Sequence, residues 1–198
     1  HALNPKLIML RISGFGQTGP YAAKPGSAGM NALSNLTNNG YNGEIHLVGR
    51  SGREVNGRKV LTEIDYLPEG VDLAIFTLPA AAVKESLEAC VRRKVKAVTV
   101  FASGFAEIGE REKQDEIAKI AADGGVALLG PNCLGYTNLV DAFNAGFVTT
   151  LQVKKFVKGR DPATAILSQS GGMMAHILTG MELRDLPVLA EYGPSPSP

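Results

Sequence analysis

Strand-like apolar runs alternate with helical patterns along residues 6–130, and this alternation restricts the fold more than any other feature. The runs are "KLIMLRI", "EIHLVG", "VDLAIFTLP", "KAVTVFA" and "VALLG". Between them, "AGMNALSNLTNNG" reads as a helix stopped by Gly40. Residues 80–93 read as a second, with Val83, Leu87 and Cys90 or Val91 on one stripe. Residues 110–122 read as a third, with Ile117 and Ile120 inward and Gly124 and Gly125 as its stop. Alternation of this period specifies βαβ units, a mostly parallel sheet and right-handed crossovers. "VDLAIFTLP" is apolar without a break, as a strand covered on both faces must be. The expected class is therefore α/β, a doubly wound parallel sheet of the nucleotide-binding type.

A chain of 198 residues is long enough for one full domain, or one domain and part of another. A formal net charge of +1 and the lack of a long basic block argue against a nucleic-acid-binding face. The apolar runs fall far short of the ~20 residues that a membrane span requires. Cys90 and Cys133 are the only cysteines, with no disulfide-type spacing, which suggests a reducing, cytoplasmic setting. The chain starts at His1 rather than Met, and is expected to belong to a longer product.

After Asn138 the pattern weakens. The stretch through Asp161 and Pro162 carries Lys154, Lys155, Lys158 and Arg160, and reads as an interdomain crossing. "ATAILSQSGGMMAHILTGMEL" then repeats strand, small-residue turn and helix. The Pro/Ser-rich end "EYGPSPSP" reads as disordered. The expected organisation is an N-terminal segment at 1–26, a main domain at 27–145, a linker at 146–162, the start of a second domain at 163–188 and a tail at 189–198.

In an open parallel sheet, ligands bind at the carboxyl ends of the strands. The glycines of "ISGFGQTGPY" (Gly14, Gly16 and Gly19) have the G-x-G-x-x-G spacing and follow the first apolar run. A dinucleotide site of the NAD type also needs an acid after the second strand to accept from the ribose hydroxyls. Gly49, Arg50, Ser51 and Arg53 stand there instead. Positive charge suits a phosphate better than a ribose diol. Gly19 is moreover followed by Pro20, and the next helical run begins near Ser27. NAD is disfavoured on both counts.

Residues 28–188 carry "NLTNNGYNGEIHLV", "LPEGVDLAIFTLPAAAV", "SGFAEIGE", "LLGPNCLGYTN" and "AILSQSGG" in order. In these motifs the chain resembles the CoA-binding domain, and the start of the next domain, of NDP-forming acyl-CoA synthetases, relatives of the succinyl-CoA ligase α subunit. The resemblance implies a Rossmann-like domain holding coenzyme A, then the first βα unit of an incomplete flavodoxin-like ligase domain. It places the CoA contacts on Gly49, Arg50, Ser51 and Arg53, on Leu78 and Pro79, on Ala102, Ser103 and Gly104, and on Asn132 and Cys133. Where that family carries Asn-Pro-Lys after the second strand, this chain carries Gly49, Arg50 and Ser51. Residues 4–26, "NPKLIMLRISGFGQTGPYAAKPG", instead resemble a segment of class III CoA transferases. That segment is expected to supply a surrogate first strand over residues 7–12, central in the sheet beside "EIHLVG" and "VDLAIF", with Ser13 and Gly14 facing the ligand. The transferase family's catalytic Asp lies in a later motif absent from this chain.

Ser168, Ser170 and Gly171 match the ligase family's turn that cradles a phosphohistidine, an anion at a positive helix end. The histidine itself lies beyond that turn in the family, so the resemblance implies CoA or acyl-CoA as partner, an ATP-grasp domain or subunit as a further one, and no catalytic residue here. His176 reads as ordinary packing within its helix, His46 as solvent-facing, Met173 and Met174 as core, Cys133 as structural or ligand-lining, and "VRRKVK" as a solvated helix end. Asp72 and Glu107 read as solvated. No metal-ligand spacing appears. The alternatives are a non-catalytic CoA- or nucleotide-binding regulatory module, and a fragment of a class III CoA transferase.

Overall fold

The structure is a computed structural model that describes residues 7–12, 27–50, 52–138, 143–148, 164–186 and 188–193. The first sheet contains β1 (Leu7–Ile12), β2 (Glu44–Val48), β3 (Glu54–Val55), β4 (Arg58–Leu61), β5 (Leu73–Thr77), β6 (Ala97–Val100) and β7 (Ala127–Leu129). Their order is β3-β4-β2-β1-β5-β6-β7. Every pair is parallel except the β3–β4 hairpin. β1 lies between β2 and β5, with Leu10 opposite Leu47 on one side and Ile75 on the other.

Helices cover both faces, and the pattern of β5 shows why. Leu73 and Ile75 face a cluster with Ala32, Leu33 and Leu36 of α1 (Ser27–Asn38). Ala74 and Phe76 face the opposite cluster, with Val83, Leu87 and Cys90 of α2 (Val83–Arg92) and Ile117 and Ala121 of α3 (Arg111–Asp123). A strand with period-two side chains must be apolar throughout when both faces are covered.

The helix stops follow from backbone geometry. Gly40, at φ +83, donates to Thr37 while Tyr41 donates to Leu36, which closes α1. Gly125, at φ +67, closes α3 in the same way, with its amide on Ala122 and that of Val126 on Ala121. The left-handed residue costs glycine nothing.

A second sheet has the order β10-β11-β8-β9. It comprises β8 (Gly135–Asn138), β9 (Phe143–Asn144), β10 (Thr164–Leu167) and β11 (Val188–Gly193), with α4 (Gly171–Glu182) between the last two. β10 and β11 are parallel, whereas β8 is antiparallel to both neighbours. Two differences from the sequence reading follow. β8 and β9 lie within 27–145 yet pair outside the first sheet. Residues 189–193, read as the start of a disordered tail, are in β11. The hairpin was not anticipated either, although Asn56 and Gly57, at φ +50 and +72, form the Asn-Gly turn that such a hairpin favours.

Asn35 of α1 joins the second sheet to the first: its side-chain amide donates to the carbonyls of Gly146 at 2.8 Å and Val148 at 3.1 Å. Close approach also matters at Gly135, where φ is +96 and a Cβ would lie 2.3 Å from the carbonyl oxygen of Ala145.

Two stability predictions follow from this geometry. Gly135→Ala should cost roughly 2 kcal/mol or more in chemical denaturation, whereas Gly172→Ala, with open space at its Cβ, should change stability little. Met9→Pro should abolish cooperative unfolding, because β1 is paired on both sides and a central strand does not tolerate a missing amide. A two-state transition at wild-type midpoint would remove residues 7–12 from the sheet.

Candidate functional site at the strand ends

β1, β2, β4, β5, β6 and β7 run parallel, so their carboxyl ends form one rim. At β2, the Gly49 amide donates to the Leu61 carbonyl at 2.8 Å, which fixes the turn against the end of β4. Arg50 and Arg53 follow on the solvent side, both exposed. The missed hairpin therefore returns the chain so that this arginine loop is braced beside the rim. Ser13, Gly14 and Ser51 lie outside the described residues, as do Gly16 and Gly19.

At β5, Leu78 is buried and Pro79 exposed. Pro79 opens a 3-10 turn, Ala80–Ala82, its carbonyl accepting from the Ala82 amide at 2.9 Å. The turn leads straight into α2. At β6, Ser103 is exposed and Gly104 takes φ +107, with Ala80 only 3.2 Å from the position of an added Cβ. Any side chain at 104 would press on the β5 turn. The carbonyl of Ala102 accepts from the Asn132 amide at 2.8 Å, which joins the β6 and β7 ends directly. Asn132 itself is left-handed, at φ +52, after a Gly130 at φ +95 whose added Cβ would meet the Val100 carbonyl oxygen at 2.4 Å.

Cys133 points inward and is buried, its thiol donating to the Val100 carbonyl at 3.3 Å. Burial pushes this thiol up to about 11, against weaker opposing bonds from the Gly135, Cys133 and Val100 backbone. It stays protonated at neutral pH and has no nucleophilic character. The structure thus gathers Gly49, Arg50, Arg53, Leu78, Pro79, Ala102, Ser103, Gly104 and Asn132 at one end of the sheet, with Cys133 supporting them from below.

Glu107 is exposed, as its solvated reading expects, but it also has backbone partners. Its carboxylate accepts from the Gly104 amide and, at 3.2 Å, from that of Phe105. Burial raises its carboxyl, but the Gly104, Glu107 and Phe105 amides outweigh that and hold it below its ordinary value. The turn is accordingly held at neutral pH and released only as the pH falls through that lowered value.

The opposite end of the sheet is built differently. Arg92 pairs with Asp65 at 3.2 Å, Lys94 with Glu69 at 2.8 Å and Lys96 with Asp72 at 2.7 Å. These exposed pairs around "VRRKVK" contribute little each. Nearby, burial first, then Asp72 and Glu44, push the Tyr41 hydroxyl up to about 12. His46, read as solvent-facing, is instead half-buried in β2 and lies 3.1 Å from Glu44.

In the second unit, Ser170 caps α4, its hydroxyl accepting from the Met173 amide at 3.3 Å. Ser168 accepts from the Ser170 amide at 3.2 Å, so the turn through Gly171 is closed on itself. His176, read as packed, is instead exposed on α4 and bonds the Gly172 carbonyl of its own helix at 2.8 Å. Met174 is buried, but Met173 is 58% exposed, which corrects its assignment to the core: the α4 stripe facing β10 and β11 takes only one of two adjacent residues. A cavity between β8, β9 and α4 is lined by Leu134, Tyr136, Thr137, Asn144 and Met174 among others, and shares no residue with the strand-end rim. Among the described residues no cluster of His, Cys, Asp and Glu has metal-binding geometry. No described helix is long and apolar enough to cross a membrane.

Residues 21–138 match the CoA binding domain family. The chain is 36% identical to a trans-feruloyl-CoA synthase from an unknown prokaryotic organism, over 82% of this chain and 23% of that protein. It is 37% identical to an ADP-forming acetate–CoA ligase of Archaeoglobus fulgidus, over 77% of this chain and 21% of that one. The chain thus spans less than a quarter of the length of either relative. The structure superposes, with a TM-score of 0.79 and 25% identity, on a dinucleotide-forming acetyl-coenzyme A synthetase of Candidatus Korarchaeum cryptofilum in complex with phosphate and ADP, covering 97% of this chain and 38% of that one. A separate stretch of 26 residues is 77% identical to a succinyl-CoA–D-citramalate CoA-transferase of Chloroflexus aurantiacus, over 13% of this chain and 6% of that protein. With its parallel sheet and its rim of small-residue turns, the chain belongs, over residues 21–138, to the CoA binding domain family.

Proposed function

We propose that this chain is the CoA-binding part of an NDP-forming acyl-CoA ligase, and that coenzyme A or acyl-CoA lies along the carboxyl ends of β2, β1, β5, β6 and β7. The observation that carries this reading is the family match over residues 21–138, which contain β2, β5, β6 and β7 and the turns that follow them. Arg50 and Arg53 meet phosphate groups, for which a guanidinium is suited in charge and geometry. Leu78, Pro79, Ala102, Ser103, Asn132 and the Cys133 backbone line the pantetheine or adenine edges, and Ser13, Gly14 and Ser51 complete the set. Gly49 and Gly104 serve by conformation.

On this reading the acyl step needs a phosphorylated histidine outside the residues that form this site, and an ATP-grasp domain or subunit to charge it. The Ser168, Ser170 and Gly171 turn, at the start of a helix and closed by its own hydroxyls, receives that phosphate. A cytoplasmic setting keeps the buried thiols of Cys90 and Cys133 reduced.

Calorimetric titration should show binding of CoA and none of NAD, since Arg50 and Arg53 stand where a ribose-binding acid is required. Tighter binding of NAD than of CoA would reverse the reading. In the Arg50→Ala, Arg53→Ala double variant, CoA should be weakened by about tenfold or more and dephospho-CoA much less if the contact is to the 3′-phosphate. Equal losses for both ligands would move the arginines to the diphosphate, and no loss would remove them from the site.

A further inference from the structure

The turn after β6 holds a carboxylate for which the CoA reading has no use. Phe105 is buried at the foot of the turn, and its carbonyl accepts from the Ile108 and Glu110 amides, both at 3.0 Å. Above it, Gly104 is left-handed and packed against Ala80. The exposed Glu107 folds back over this segment, so that its two oxygens take the Gly104 and Phe105 amides. Two backbone donors on the ligand rim are therefore committed to the chain's own anion.

We propose that Glu107 is a positioning residue of the CoA rim: its carboxylate holds residues 103–105 in the shape that presents Ser103 to the ligand and keeps the Gly104 amide from it. This rests on the CoA reading, since the presentation of Ser103 matters only to a ligand at these strand ends. It also sets an orientation. The order β2-β1-β5-β6 puts the arginine loop and the Glu107 turn three strand spacings apart, about 14 Å at ~4.8 Å each. A phosphate is drawn to the arginines and repelled by the carboxylate, so the uncharged part of the ligand lies at β6.

The charged groups at the start of α3, which packs against this turn, are Glu110, Arg111, Glu112 and Lys113. On the other side, where Gly104 meets Ala80, the first charged residues are Lys84 and Glu85 of α2, with Lys84 paired to Glu116. Lys113 is engaged with Glu110 at 3.0 Å, and Gln114 accepts from the Ala106 amide at 3.3 Å. Glu107 itself is held by backbone amides, so its protonation acts on the turn directly.

Glu107→Gln keeps the shape of the side chain and removes the charge. Hydrogen exchange at neutral pH should show the Gly104 and Phe105 amides exchanging at least several-fold faster in this variant, with the β5 and β6 amides unchanged. CoA should bind several-fold more weakly to the variant at pH 7. That gap should close as the pH falls through the lowered Glu107 value, where the wild type loses the same charge; the ligand's own titration cancels in the comparison. Unchanged exchange at Gly104 and Phe105 would overturn the proposal, as would equal CoA affinities at pH 7 or a gap independent of pH. Wild-type protein that binds no CoA, with exchange still accelerated in the variant, would instead overturn the CoA reading and leave Glu107 as the anchor of the turn.

Discussion

The burial of β5 on both faces is the constraint on which the rest of the structure depends. Each residue from Leu73 to Thr77 is buried, so neither face of this strand tolerates water, and helices must cover the sheet above and below. Strands connected through such helices run parallel, because a crossover that returns over one face brings the chain back in the same direction. Parallel strands in turn put all their carboxyl ends on one side. The rim of turns at the strand ends is thus a consequence of hydrophobic burial some distance from it.

At the rim the backbone leaves its ordinary conformations. Gly104, Gly130 and Asn132 all take positive φ, and at Gly130 a side chain would run into the Val100 carbonyl. The reason lies in the junction of β6 and β7: the amide of Asn132 reaches the carbonyl of Ala102, and the thiol of Cys133 reaches that of Val100. Backbones held this close leave no room for Cβ atoms. The result is a surface of peptide groups and small side chains, with the charged residues Arg50, Arg53 and Glu107 around it.

Much of this was legible in the sequence because burial and helix termination write themselves into local patterns. The unbroken "LAIFT" announced a doubly covered strand, and Gly40 and Gly125 marked helix ends that the structure closes there. The turns of the rim could be located by their position after apolar runs. Other features were readable but went unread: Asn56 and Gly57 signal the hairpin that braces the arginine loop. The bonds from the Gly104 and Phe105 amides to Glu107 had no local signature, since they depend on the path of the folded turn.

The sequence by itself determined the fold class, the direction of the sheet and the end at which its small-residue turns lie, because these depend on periodicity and on residues a few positions apart. The sequence also put the strand of residues 7–12 at the centre of the sheet, because an unbroken apolar run must be covered on both faces. Leu7–Ile12, from a stretch unlike the rest of the chain, takes the place between β2 and β5 because a slot with free backbone donors and acceptors on both sides accepts any extended segment that reaches it. Tertiary structure alone moved Gly135–Asn138 into the second sheet, and tied that sheet to α1 through Asn35 and the carbonyls of Gly146 and Val148. Pairings between residues more than fifty positions apart carry no periodicity, and so are visible only once the chain is folded.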